Sequence, residues 1–208
     1  MTDSALQRRL PRTGIILLVG VMLLLGGGVL MVWWPYHHNQ TVIIEVERLR
    51  GTTDSKIVRP FWIPDAVDDQ YLKVFDRVYG VFLCDTPASD AVLGHLQGLT
   101  DLEHLWLNNT QVSDQGLEHL RGLTNLKSLW LNNTRVSDRG LTYLRGLTNL
   151  QSLTLAETQV SDAGLEHLYG LANLIELSLD NTQVTQAGID KLKKVLPRFL
   201  IYWTPPSK

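Results

Sequence analysis

The amino-acid sequence predicts an α/β solenoid of short repeats, preceded by one transmembrane helix. Three observations support this fold class. Four segments, from Leu102 onward, align at a fixed period of 24 residues. Each begins with leucines at the two-residue spacing of a strand and continues with leucines at the spacing of a helix. An uncharged run of 21 residues lies near the N-terminus.

Each repeat combines one strand and one short helix. The first full copy reads LEHLWLNNTQVSDQGLEHLRGLTN. In it, Leu105 and Leu107 point to one side of a strand, and Leu117 and Leu120 mark one face of a helix. A single repeat cannot bury its own apolar face, so the repeats must stack on one another. In chain order they start at Val78 (a degenerate copy), Leu102, Leu126, Leu150, Leu174 and Arg198 (a truncated copy).

Polar positions recur with the same period. Ser113 or Asp114 is placed to cap the helix, and Gly122 is placed to end it. A threonine follows each strand, and its hydroxyl can satisfy backbone groups in the turn. These threonines are Thr86, Thr110, Thr134, Thr158 and Thr182.

With these motifs the chain resembles the leucine-rich-repeat family, whose pattern is LxxLxLxxN/CxL. The resemblance covers about residues 78–203, and threonine stands where the family has Asn or Cys. The SDxGLxxL tail resembles bacterial members of the ribonuclease-inhibitor-like class. The resemblance implies a curved solenoid with parallel strands on the concave face and helices on the convex face. It also implies protein–protein interaction as the commonest use.

The uncharged run Gly14–Trp34 is long enough to cross a membrane. As a helix it would extend roughly 32 Å, close to the hydrocarbon thickness of a bilayer. Arg8, Arg9 and Arg12 precede it, so the positive-inside rule places a stub of residues 1–13 in the cytoplasm and the repeats outside it. The alternative is a cleaved signal peptide, whose apolar core is usually about 7–15 residues long.

Between anchor and repeats we expect a juxtamembrane segment and an N-terminal cap, at residues 35–77. The stretch TVIIEVER is typical of a strand, and RGTTDSKIVRP is typical of a loop. Asp65 is placed to cap a helix that carries Val67, Tyr71, Leu72 and Phe75. The repeat domain is expected at residues 78–204, closed by Leu200, Tyr202 and Trp203, with a tail at 205–208.

Composition argues against several functions. The net charge is −2, and since residues 1–13 contribute +2, the remainder carries −4 without a basic stripe, so nucleic acid is not an expected partner. Cys84 is the single cysteine, so neither an internal disulfide nor a thiolate metal cage is possible. We expect no metal and no cofactor, because no phosphate loop, GxGxxG or HExxH motif occurs.

A Ser-Asp-His trio invites comparison with a catalytic triad. Ser113, Asp114 and His119 recur at Ser161, Asp162 and His167, and also at Ser89, Asp90 and His95. A triad converges on one substrate atom, whereas these copies repeat at the structural period. The repetition therefore indicates helix capping, and we expect no enzyme activity.

The outward strand positions are the candidate binding site. With strands about 4.8 Å apart, Phe82, Trp106 and Trp130 would form a stacked aromatic strip on the concave face. Asn108 and Asn132 flank it, with His104 in the neighbouring column. The candidate ligand-binding residues are Phe82, His104, Trp106, Asn108, Trp130 and Asn132. Alternatively, the juxtamembrane segment covers the aromatics, or they are drift between repeats.

These observations predict a membrane-anchored module that binds a protein or peptide, with a glycan as a further possibility. Exposed tryptophans on a rigid sheet are over-represented at binding hot spots. The alternative is a structural envelope spacer or assembly module that self-associates through the solenoid edge.

Overall fold

The computed structural model describes residues 28–61, 63–196 and 199–205, with side chains from Tyr36 onward. The predicted stub and most of the predicted transmembrane run lie outside these residues. Within the described part, no helix is both long and apolar enough to cross a membrane. The membrane anchor therefore stays a prediction.

Short strands alternate with short helices along the described chain. The longer elements are α1 (Gly28–Arg48), β1 (Thr52–Ile57), β2 (Asp76–Phe82), α2 (Asp90–Leu96), β3 (His104–Trp106), α3 (Asp114–Leu117), β4 (Ser128–Trp130), α4 (Asp138–Leu141), β5 (Ser152–Thr154), α5 (Asp162–Leu165), β6 (Glu176–Ser178), α6 (Gln186–Val195) and β7 (Leu200–Tyr202). Single 3-10 turns lie at Asp69–Tyr71, Lys73–Phe75, Glu118–Leu120, Thr142–Leu144 and Glu166–Leu168.

The strands form one sheet in the order β1 to β7, and each strand from β2 onward pairs in parallel with the next. This order confirms the predicted α/β solenoid of parallel strands and short helices. The register advances by one repeat at every step, so that Leu105, Leu129 and Leu153 lie side by side.

The chain divides into two compact units. The repeat unit comprises residues 39–56 and those from 77 onward, and the leucines of its strands and helices form one continuous buried core. The smaller unit includes residues 57–76, where Ile63, Leu72 and Phe75 are buried together.

A side-chain staple joins successive repeats at the start of each helix. Ser113 caps α3 by accepting a hydrogen bond from the Gln115 amide. The carboxylate of Asp90, one repeat earlier, accepts from the Ser113 amide at 2.7 Å and from its hydroxyl at 2.6 Å. A side chain on Gly116 would collide with Asp90, which explains the glycine of the SDxG motif. The same staple joins Asp114 to Ser137, Asp138 to Ser161 and Asp162 to Thr185.

The threonine column satisfies backbone groups as predicted, and it does so within each repeat. The Thr110 hydroxyl donates to the Leu107 carbonyl at 2.7 Å, three residues earlier. Thr134 repeats this bond to Leu131 at the same distance. Buried carbonyls at the strand ends thereby gain a partner, which avoids the cost of leaving them unpaired.

The region upstream of the repeats differs from its sequence-based prediction. TVIIEVER was expected as a strand, but it lies in α1, because Val42 and Val46 are one helical turn apart and both join the buried core of the repeat unit. The expected loop RGTTDSKIVRP contains β1. Tertiary packing overrides the strand preference of β-branched residues here.

The predicted helix capped by Asp65 is also wrong. The structure has two 3-10 turns instead, and Asp68 caps the first by accepting from the Gln70 amide at 3.0 Å. Leu72 and Phe75 are nonetheless buried, as the prediction required. The segment forms no regular helix, but its two 3-10 turns still bury these apolar residues.

Candidate functional site

Three columns of residues lie on the face of the sheet that points away from the buried leucine core, which we call the outer face. They occupy the strand positions expected from the sequence. The first column is Gly80, His104, Ser128, Ser152, Glu176 and Leu200, and the central column is Phe82, Trp106, Trp130, Thr154, Ser178 and Tyr202. The third column follows the strand ends at Cys84, Asn108, Asn132, Ala156, Asp180 and Thr204. Within β2–β6 the residues between the first two columns point inward and are buried.

An aromatic strip occupies the first half of the central column. Trp106 and Trp130 stack face to face, with ring centroids 4.1 Å apart and planes 3° from parallel. Phe82 packs edge-on against Trp106 at 4.6 Å. The strip ends at Thr154, where the column changes to hydroxyl side chains. Strand spacing alone brings these rings into contact, since aligned side chains on paired strands lie about 5 Å apart.

The exposed surface of the aromatic strip consists of carbon atoms, because the indole nitrogens are buried. Both indoles are half-buried, but the Nε1 atoms of Trp106 and Trp130 are buried and have no hydrogen-bond partner among the described residues. The Oγ1 of Thr154, next in the column, is likewise buried and has no hydrogen-bond partner among the described residues. The exposed part of each indole ring is therefore apolar, which suits a contact with aliphatic or aromatic groups.

The two asparagines beside the strip each use the side-chain oxygen in a hydrogen bond to the next repeat. The Oδ1 of Asn108 accepts from the Asn132 amide, and that of Asn132 accepts from the Ala156 amide, both at 2.9 Å. Their side-chain NH₂ groups make no hydrogen bond within the described residues. A ligand can therefore accept hydrogen bonds from these asparagines, whereas their oxygens already hold the next repeat.

His104 adjoins a cluster that the sequence did not reveal. Its ring packs edge-on against Tyr79 at 6.5 Å, and the Lys56 ammonium lies 5.2 Å from the Tyr79 ring centroid. Glu103 lies between Lys56 (3.5 Å) and Lys127 (2.7 Å). The hydrogen bond from Lys127 is the main cause that lowers the pKa of Glu103. Lys56 was missed because its segment was expected to be a loop.

The Ser-Asp-His trio does not assemble into a triad. Ser161 donates to Asp138 of the preceding repeat, and Asp162 accepts from Thr185 of the following one. His167 instead lies 2.5 Å from a guanidinium nitrogen of Arg145. Burial is the main cause that lowers the pKa of His167, and Arg145 adds to it. The described residues also contain no group of three or more His, Cys, Asp or Glu that could hold a metal.

Comparison with known proteins supports the class of the repeats. Residues 100–143 match the family model described as Leucine Rich repeats (2 copies). The parallel register of the matched strands continues on both sides of this match, from β2 to β7. The structure is similar to two solved internalins of Listeria monocytogenes.

Internalin C2 is 32% identical over 53% of this chain and 46% of its own, with a TM-score of 0.46. An internalin named inlF is 27% identical over 56% of this chain and 32% of its own, also with a TM-score of 0.46. The chain thus spans less than half of either internalin. Comparison with curated proteins found no match.

Proposed function

We propose that this chain is a membrane-anchored interaction module that binds a protein, peptide or glycan on the outer face of its sheet. The observation that carries the proposal is the stacked pair Trp106 and Trp130, half-buried in the centre of that face. The contact surface would comprise Phe82, His104, Trp106, Asn108, Trp130 and Asn132.

The scaffold favours binding because its contact groups are already in place. Parallel pairing fixes the strands, and the indoles hold each other in one orientation. A ligand that meets such a surface loses little entropy in ordering the protein. Tryptophan is also enriched at the positions that supply most binding energy in interfaces. The match of residues 100–143 to leucine-rich repeats supports a protein as the partner.

The anchor proposal is supported by the uncharged run Gly14–Trp34 and the arginines before it. Its test uses Gln159→Cys, an exposed position in the repeat unit, with Cys84 replaced by alanine. In intact cells a membrane-impermeant maleimide should label this cysteine without lysis. Labelling that requires lysis would place the repeats on the cytoplasmic side and contradict the topology.

The binding proposal is tested with Trp106→Ala and Trp130→Ala combined in the full chain. Photocrosslinking from Ser128, in the first outer column, should capture a partner in native membranes with the parent chain. The double variant should reduce that capture at least tenfold. The control is Tyr143→Ala, which removes a half-buried aromatic ring outside the three outer columns. Undiminished capture by the tryptophan variant would show that the strip is not the site.

A second candidate function is assembly through the end of the sheet. β7 is the last strand of the sheet among the described residues, and its Leu200 and Tyr202 are 60% and 50% exposed. Unpaired edge strands can pair with another chain. Light scattering of the detergent-solubilised full chain separates the two functions. A dimer that Leu200→Lys dissociates favours assembly, whereas a monomer favours the interaction module.

A further inference from the structure

The three outer columns, which run from β2 to β7, carry their charge at one end. No lysine or arginine occupies the three outer columns, and their two carboxylates, Glu176 and Asp180, lie on and just after β6. The aromatic strip lies on β2 to β4, at the other end. The face thus combines an apolar region with an acidic region along the same row of strands.

The acidic region lacks a counter-charge among the described residues. Glu176 and Asp180 are half-buried, and within the described part of the chain neither side chain forms an ion pair or a hydrogen bond. Glu103 has the opposite arrangement, since Lys56 and Lys127 both contact it. A ligand that covered β6 without supplying positive charge would bury two carboxylates without compensation, which is costly.

The two regions are separated by a distance that a short peptide spans. With strands about 4.8 Å apart, β6 lies roughly 10 Å from Trp130 and roughly 14 Å from Trp106. An extended chain advances about 3.3 Å per residue, so three to four residues cover this distance. A cation placed over Ser178 would lie about 7 Å along the strand from both carboxylates, within the screening length of physiological salt.

We propose that the partner is a basic polypeptide segment, bound in extended form across the strands. It would place a large apolar side chain on the Trp106–Trp130 pair and a Lys or Arg near Glu176 and Asp180, three to four residues away. This inference rests on the proposed function of the outer face. The same charge disfavours acidic glycans and nucleic acids, which would place like charges together.

The test is selection from a library of random nonapeptides on the full chain in detergent micelles. The parent chain should enrich Lys or Arg three or four positions from a large apolar residue. Glu176→Lys with Asp180→Lys should weaken binding of these peptides at least tenfold and shift selection toward Asp and Glu. The milder pair Glu176→Gln and Asp180→Gln should weaken binding without selecting acidic residues.

The matched control reverses the charge of two exposed carboxylates in the 3-10 turns, through Glu118→Lys and Glu166→Lys. It changes the net charge equally and should leave selection unchanged. Thermal unfolding monitored by circular dichroism should give the same melting temperature for all the charge variants, which verifies that each is folded.

The outcomes separate this inference from the proposed function. Peptides that require the tryptophans but show no basic preference would overturn the inference alone. The same holds if neutral oligosaccharides bind, in a tryptophan-dependent manner, in place of peptides. Selected peptides that bind equally well to the Trp106→Ala, Trp130→Ala variant would overturn both.

Discussion

The inner and outer columns of the sheet are built on the same strands, yet they obey different rules. On the inside, Leu105, Leu129, Leu153 and Leu177 are identical and have no exposed surface. On the outside, the adjacent central column changes from aromatic rings to hydroxyl groups and back to tyrosine. The interior repeats because each repeat packs against a copy of itself, and that requirement is absent on the outer face.

The comparison shows which positions of a repeat protein are free to form a binding surface. Stacking restricts the leucines, the staple residues and the threonines at every repeat. The first and central outer columns are released from this restriction, whereas Asn108 and Asn132 of the third column still bond to the next repeat. The adjacent Trp106 and Trp130, and the two carboxylates on and just after β6, are not explained by the stacking of repeats. Three substitutions test this division, ordered from the largest expected effect to the smallest.

Leu129→Ala should lower the free energy of unfolding by about 2–5 kcal/mol, because it removes a fully buried side chain and leaves a cavity between repeats. Its neighbour Ser128→Ala, on the outer face of the same strand, should change that free energy by less than about 0.5 kcal/mol. Urea unfolding followed by circular dichroism measures both. Equal losses at the two positions would contradict the division between inner and outer columns.

Asp114→Ala should cost about 1–3 kcal/mol, because Ser137 loses the acceptor for both its amide and its hydroxyl. Glu118→Ala, an exposed carboxylate in the turn that follows, serves as the control and should have little effect. A double-mutant cycle with Ser137→Ala should show a coupling energy of about 0.5 kcal/mol or more. Additive losses would mean that the staple does not act between repeats.

Glu157→Asn should raise the free energy of unfolding by about 0.5–1 kcal/mol, because Glu157 adopts a left-handed conformation (φ 58°) that asparagine tolerates better. The corresponding positions carry Asp85, Asn109, Asn133 and Asn181, all with positive φ. A new amide would also extend the existing bond from Asn133 to Asn109. The reverse change, Asn133→Glu, should destabilise by a similar amount in the same urea experiment.

The repeat unit was predictable because the same pattern recurs at one period. A single LxxLxL segment is ambiguous, but four aligned copies determine which leucines face inward and which positions share a column. The contact between Trp106 and Trp130 follows from that register alone. The role of Asp114 did not follow, since capping of its own helix and bonding to the next repeat require the same residue type at the same spacing.

The region before the repeats occurs once in the chain, so no period supports its interpretation. Val42 and Val46 are compatible with a strand by propensity and with a helix by spacing, and only their burial in the repeat core decides between the two. β1 has an exposed and polar composition that resembles a loop. The lysine that it brings to Glu103 could therefore not be anticipated.

Because the same Asp–Ser staple recurs at successive junctions, the array should tolerate the deletion or insertion of one whole 24-residue repeat. Excision of residues 126–149 would bring Asp114 opposite Ser161, so that the joint between neighbours is the same as before. The leucine interior would close without a gap, but Trp106 would then border Thr154 and have no second indole. Adding or removing a unit would thus change the side chains of the proposed binding surface, while the architecture would stay the same.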